Sequence, residues 1–220
     1  MGESKTHIYF VPGLAAGKEI FENISLPLDN YETHILEWII PKKKESLSDY
    51  SKRMASKVIH PNPVLIGVSF GGVVAQEMSF FLDIKKLIII SSIKTRFEIP
   101  KKLRYANKMK AYKLMPISTL LNASDIAKFA IGSKTKKKLA LYQKYLSVRN
   151  KKYIDWSIHQ IMSWKREQAV DGVVHIHGDK DALFPIKNIK DPIVIKGGTH
   201  VMIMHKAKWL SSELPKIIEK

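Results

Sequence analysis

Hydrophobic and polar positions along the chain fall into short apolar runs separated by amphipathic stretches. His7–Val11, Tyr31–Ile39, Val64–Ile66, Lys86–Ile90, Val173–His177 and Pro192–Lys196 each carry a strand-length run. Val64-Leu65-Ile66 and the isoleucine-rich run ending at Ile90 have no polar alternation, as expected of strands covered on both faces. Between them the period changes. Leu47, Tyr50, Met54 and Val58 share one face of a predicted helix that Ser46 or Ser48 caps and that runs to about Ile59. A further helix follows Val73 and runs to about Leu82, and a closing helix spans Val201–Ile218. Strands joined through helical crossovers predict a six-stranded, mainly parallel α/β sheet with helices on both faces. The alternation stops between Pro100 and Arg166. That stretch predicts helices over Lys101–Lys113, Ser124–Ile131, Thr135–Val148 and Tyr153–Lys165.

The candidate chemistry starts at Val64–Val74, V-L-I-G-V-S-F-G-G-V-V. Gly67-Val68-Ser69-Phe70-Gly71 fits G-x-S-x-G between a buried strand and a helix. Such a turn pushes the serine hydroxyl clear of the sheet, above a helix N-terminus that favours negative charge. A serine nucleophile needs a base, and the base an orienting carboxylate. His200 lies in the Gly197-Gly198-Thr199 loop after the last strand, and Asp181 in the loop after the strand before it. Both loops belong to the sheet end where Ser69 lies. Asp181 is the favoured acid, and Asp179 is its competitor, since either can cap the turn. Pro12–Gly17, a loop of small residues after the first strand, can turn backbone N–H groups toward a ligand.

With these motifs in place, the chain resembles an α/β-hydrolase over essentially its full length. Gly67–Gly71 matches the family's elbow. Gly178-Asp179-Lys180-Asp181 resembles its G-x-x-D loop, Gly198-Thr199-His200 its histidine loop, and Pro12-Gly13-Leu14 stands where many members have His-Gly-x. The resemblance implies a Ser69–Asp181–His200 triad, oxyanion donors from the Leu14 and Phe70 N–H groups, and no cofactor. It also implies that the family's first two strands are missing. The core is expected at 1–99 and 167–220, with a helical cap inserted at 100–166. The activity implied is that of a serine esterase or thioesterase.

Composition bears on three points. The chain has no cysteine, which excludes disulfides, thiolate metal sites and cysteine nucleophiles. His175-Ile176-His177-Gly178-Asp179-Lys180 is close to a metallo-hydrolase H-x-H-x-D-H motif. Lys180 stands in place of its last histidine, no supporting group of His and Asp appears at other strand ends, and the serine turn would be left idle, so no metal site is expected. The polar start and the lack of a long apolar run predict a cytoplasmic protein.

Net charge is +17 over 220 residues, and Lys101–Lys152 alone holds fifteen Lys and Arg against one acid, Asp125. This segment of the expected cap thus carries +14. It is either a solvated lysine-rich surface or a guide for an acidic partner, such as an acyl carrier protein or an anionic membrane. Nucleic acid is the weaker candidate, because Tyr105, Tyr112, Phe129, Tyr142 and Tyr145 fall at helix-core spacings. The rival to a hydrolase is a non-catalytic or nucleic-acid-binding protein that uses the basic cap on a hydrolase scaffold.

Overall fold

The computed structural model describes residues 5–101 and 144–220. Six strands, β1 (Thr6–Val11), β2 (Tyr31–Ile35), β3 (Val64–Val68), β4 (Lys86–Ile90), β5 (Val174–Gly178) and β6 (Ile193–Ile195), form one sheet in the order β2-β1-β3-β4-β5-β6. Every pairing is parallel. The order runs outward from β1 and β3, so the crossovers switch direction there, and loops after those strands open toward one crevice.

The central strands are wholly apolar, yet their two-residue period still sorts side chains between layers. Ile8, Phe10, Val64, Ile66, Ile88, Ile90 and Ile176 pack against Leu210, Leu214 and Ile217 of α5 (Ala207–Ile218). Tyr9, Val11, Leu65, Leu87 and Ile89 pack against Tyr50 and Met54 of α1 (Leu47–Ala55) and against Val73, Val74 and Met78 of α2 (Phe70–Met78). Each fully buried isoleucine in this double layer contributes about 1.5–3 kcal/mol of transfer free energy.

Helix ends follow local chemistry. Ser46 is the cap of α1: its hydroxyl accepts from Asp49 N–H at 3.1 Å. The helix stops at Ala55, short of the expected Ile59. Lys57 and Val58 N–H tighten onto Met54 and Ala55 carbonyls, Ile59 N–H is taken by the Tyr9 hydroxyl, and Pro61 bars helical backbone at His60. Likewise α2 gives way to a 3₁₀ turn, Ser79–Phe81. The expected closing helix is two pieces, α4 (Met202–His205) and α5, because Lys206 leaves the helical region at φ −111°, ψ 18°.

Of the expected cap, the helices Lys101–Lys113 and Ser124–Ile131 and most of Thr135–Val148 lie outside the described residues. The described part contains α3 (Lys151–Ser163), capped by the Asn150 side chain, which accepts from Tyr153 N–H. Tyr153 and Ile154 pack with Ala15, Leu14, Trp38 and Ile158, so α3 walls the loop that follows β1. Two backbone bonds, Gly17 N–H to Tyr145 O and Val148 N–H to Ala15 O, join that loop to the chain entering α3. Among the described residues, no helix is long and apolar enough to cross a membrane.

Candidate active site

Ser69 sits between β3 and α2 at φ 53°, ψ −119°, backbone that L residues rarely adopt. The turn is held from all sides. Ser69 N–H donates to Ile90 O at 2.9 Å, and the Ser92 hydroxyl donates to Ser69 O at 2.7 Å. Strand and helix cross so closely that a Cβ on Gly67 would lie 2.4 Å from Gly71 O. A Cβ on Gly71 would lie 2.1 Å from Pro12 O. The G-x-S-x-G spacing is therefore a steric requirement here, and it also seats α2 against the loop after β1.

Ser69 Oγ lies 2.9 Å from His200 Nε2, and His200 Nδ1 lies 2.9 Å from Asp181 Oδ2. Asp181 is buried at 4 % exposure. Burial raises its pKa, but the His200 hydrogen bond and charge and the Phe184 backbone N–H outweigh this, so the carboxyl is held below its ordinary value. An ionised carboxylate only accepts, so His200 Nδ1 carries the proton and Nε2 accepts from the Ser69 hydroxyl. The other carboxylate oxygen accepts from Leu183 N–H at 2.9 Å and Phe184 N–H at 2.8 Å, which fixes its direction. Such a line can draw a proton from Ser69 Oγ while a charge develops on the imidazole.

Asp179 is used differently. Its Oδ1 accepts from Gly197 N–H at 2.6 Å and ties the loop after β5 to the loop that carries His200. Gly178 and Gly198 cross beside it, with a Cβ on Gly178 only 2.1 Å from Gly198 O.

Phe70 opens α2 directly after Ser69, and a Cβ on Gly13, the residue before Leu14, would lie 3.6 Å from Ser69 Cβ. Among the described residues neither the Leu14 nor the Phe70 backbone N–H has an acceptor. Gly13 O accepts from Trp38 Nε1 and from Ala16 N–H, both at 3.0 Å. Across the trans peptide, Leu14 N–H therefore points away from Trp38. Trp38 escaped the sequence reading, since nothing in its spacing marks it as a partner of a loop carbonyl.

His175 and His177 point to one side of β5, as their spacing predicts, but they pair with each other. His175 Nε2 is 3.2 Å from His177 Nδ1, and His177 Nε2 donates to Phe184 O at 2.8 Å. Burial lowers the pKa of both, His175 strongly. These neutral rings brace Phe184, whose N–H in turn holds Asp181. A separate histidine group stands at the opposite edge of the sheet, formed by β1 and β2. There His7, His34 and His60 converge, each with a ring nitrogen within 4.8 Å of the others. Residues 27 and 53 apart in sequence gave no local signal; the β1–β2 register sets His34 near His7, and the turn after α1 brings His60 onto them.

The sequence matches no protein-family model and no curated protein. Solved structures match in shape over nearly the whole chain. A thermophilic esterase from Thermogutta terrifontis superposes with a TM-score of 0.72 at 13% identity, covering 98% of this chain and 90% of its own. A type II thioesterase from the yersiniabactin biosynthetic pathway gives 0.69 at 14% identity, covering 100% of this chain and 95% of its own. The epoxide hydrolase of Bacillus megaterium gives 0.69 at 11% identity, covering 99% and 94%. The chain has the α/β-hydrolase fold. In the hydrolase fold of this chain, the turn after β3 and the loops after β5 and β6 bring Ser69, Asp181 and His200 to one end of the sheet.

Proposed function

We propose that the protein is a serine hydrolase that cleaves a carboxylic ester or thioester through an acyl-enzyme. The observation that carries this reading is the unbroken hydrogen-bonded line from Ser69 Oγ through His200 to Asp181, 2.9 Å at each link. His200 Nε2 takes the Ser69 proton as Oγ attacks the substrate carbonyl carbon. Negative charge moves to the carbonyl oxygen, where the Leu14 and Phe70 N–H groups and the α2 N-terminus favour it. Asp181 holds the imidazolium. As the tetrahedral species collapses, His200 returns its proton to the leaving alkoxide or thiolate. Water then loses a proton to His200 and attacks the acyl carbon, and the second collapse returns that proton to Ser69 Oγ with release of the acid. No cofactor takes part. Hydrolysis of a short-chain nitrophenyl ester tests this. Ser69→Ala should lower turnover by roughly 10³–10⁶ with an unchanged melting curve. Full turnover in that variant would move the nucleophile elsewhere.

The basic segment 101–152 extends the proposal to an acidic carrier protein or an anionic membrane as the source of substrate. Its support is the +14 concentrated there. Among the described residues, two of its charges are already partnered: Lys144 Nζ lies 2.6 Å from the Glu22 carboxylate, and Lys151 pairs with Asp155. Exposed charges are screened within about 8 Å at physiological salt, so added salt should raise KM for a carrier-linked or vesicle-bound acyl group. A small neutral ester should barely respond. Equal salt dependence for both substrates removes the case for such a partner.

A further inference from the structure

The sheet edge formed by β1 and β2 holds a group of rings that the hydrolase chemistry does not use. His7 and Tyr9 of β1 and Glu32 and His34 of β2 share one face, since His7 pairs with Glu32 and Tyr9 with His34 in the parallel register. His60, in the turn after α1, folds over the same spot. Its ring stacks on His7 with centroids 3.5 Å apart and planes 6° apart, and it lies 4.7 Å from the His34 ring. His7 Nδ1 and His34 Nε2 are 3.0 Å apart, joined by a hydrogen bond. The Glu32 carboxylate faces both nitrogens, at 3.8 Å and 3.7 Å. Beyond it, the Tyr9 hydroxyl lies 2.6 Å from His60 Nδ1, which leaves His60 Nε2 as the nitrogen that ring can offer.

We propose that His7, His34 and His60, with Glu32 as a fourth donor, form a binding site for a divalent transition-metal ion such as zinc. Three imidazoles and a carboxylate, without sulfur, suit Zn(II), Co(II), Ni(II) or Cu(II) and not magnesium or calcium. Metal–nitrogen bonds of about 2.0–2.1 Å place tetrahedral ligand atoms about 3.3–3.4 Å apart. Ring nitrogens that already lie within 4.8 Å of one another reach that spacing by rotating side chains that the register has gathered. The ion takes the lone pairs of both nitrogens, and the ring whose N–H lay between them shifts to its other tautomer, giving up that proton and taking one from solvent on its far nitrogen. His7 and His60 splay from their stacked arrangement so that their lone pairs meet at the ion. Tyr9 is the outer partner that orients His60, as a hydrogen-bonded neighbour commonly does for a ligating histidine. The side chains of His7 and His34 are 19% and 25% exposed, so an ion reaches them without the fold opening. The site lies away from Ser69: His7 is near the start of β1, whereas the loop that faces Ser69 follows its end.

Titration of the metal-free full-length protein with Co(II), followed by Zn(II) displacement, tests this without reference to hydrolysis. Wild type should take up one equivalent of Co(II), with the intense visible bands of a four-coordinate site, and Zn(II) should abolish them. His34→Ala and His60→Gln should each lose those bands. Tyr9→Phe should weaken uptake by about tenfold. Because His60 lies in a turn outside the sheet, His60→Gln decides the matter even if His34→Ala fails to fold. No saturable uptake by wild type in large metal excess would overturn the proposal. Equal uptake and equal bands in wild type and His60→Gln would also overturn it, by placing the ion elsewhere.

Discussion

His200 and His34 both stand at the margins of the same sheet, yet their surroundings differ in kind. His200 has a different partner on each nitrogen, a serine hydroxyl at 2.9 Å and a buried carboxylate at 2.9 Å. A ring held that way has one direction in which to move a proton. His34 faces other imidazoles, His7 at 3.0 Å and the His60 ring at 4.7 Å, with only a half-exposed carboxylate nearby. Burial and the charges of the neighbouring histidines lower its pKa, against the opposing pull of Glu32. Rings gathered in that way offer lone pairs to a common point and have no nucleophile to activate. The backbone differs as well. Around His200 and Ser69, loops cross at glycines with no room for a Cβ, whereas the His34 group rests on ordinary strand pairing. Proton transfer requires that rigidity, because an error of about 1 Å in a reacting group costs on the order of 10²-fold. Ion binding can draw its ligands into place.

The sharpest way to break this contrast is to alter the acid. Asp181→Asn should lower ester turnover by roughly 10⁴, because the amide no longer fixes the His200 tautomer. Asp179→Asn, which disturbs only the bond to Gly197, should cost about 1 kcal/mol of stability and much less activity. The reverse ranking in kcat/KM would show that the acid is misassigned.

The close crossings come next. Gly71→Ala brings a Cβ to 2.1 Å from a backbone oxygen that has no flexible end to swing away. It should destabilise by about 3 kcal/mol and lower turnover through displacement of Ser69. Chemical denaturation of the variant checks the first effect, and wild-type stability would deny that the crossing is tight.

With no change of sequence, the effect on activity is smallest in the acid response of the bracing pair, which is read in stability alone. His175 and His177 have folded pKa values below the ordinary histidine value because they are buried. As pH falls through about 6.5, the unfolded chain takes up protons that the folded chain refuses, so stability declines. While both groups differ in this way, the slope is about 1.4 kcal/mol per pH unit for each proton. Denaturation midpoints at pH 7 and pH 5 measure it. The Asp181 contribution is lost only lower, as pH falls below about 4 through its depressed folded pKa. A flat profile between pH 7 and 5 would mean that the pair does not stay neutral.

The parts legible in the sequence are those in which a physical requirement acts over a few consecutive residues. Val64–Ile66 and Lys86–Ile90 declare buried strands because parallel strands covered on both faces tolerate no alternation. Gly67, Ser69 and Gly71 declare the turn because its sterics act at fixed spacing. Asp181 and His200 could be singled out because each follows a strand, and strand ends share one side of a parallel sheet. What distant contacts decide was hidden. Trp38 pins Gly13, the Tyr9 hydroxyl draws Ile59 out of α1, and the β1–β2 register sets His34 beside His7. The sequence favours Asp181 over Asp179, but residue type alone does not separate two carboxylates in one loop. Their roles follow from which loop each carboxylate faces.

The central claim is that Ser69 Oγ is a nucleophile activated by His200. Intact mass spectrometry after treatment with a fluorophosphonate measures this directly. Wild type should gain one phosphonyl adduct that maps to Ser69, with loss of fluoride, and Ser69→Ala should gain none. An unlabelled wild type, or a Ser69→Ala variant labelled to the same extent, would contradict it.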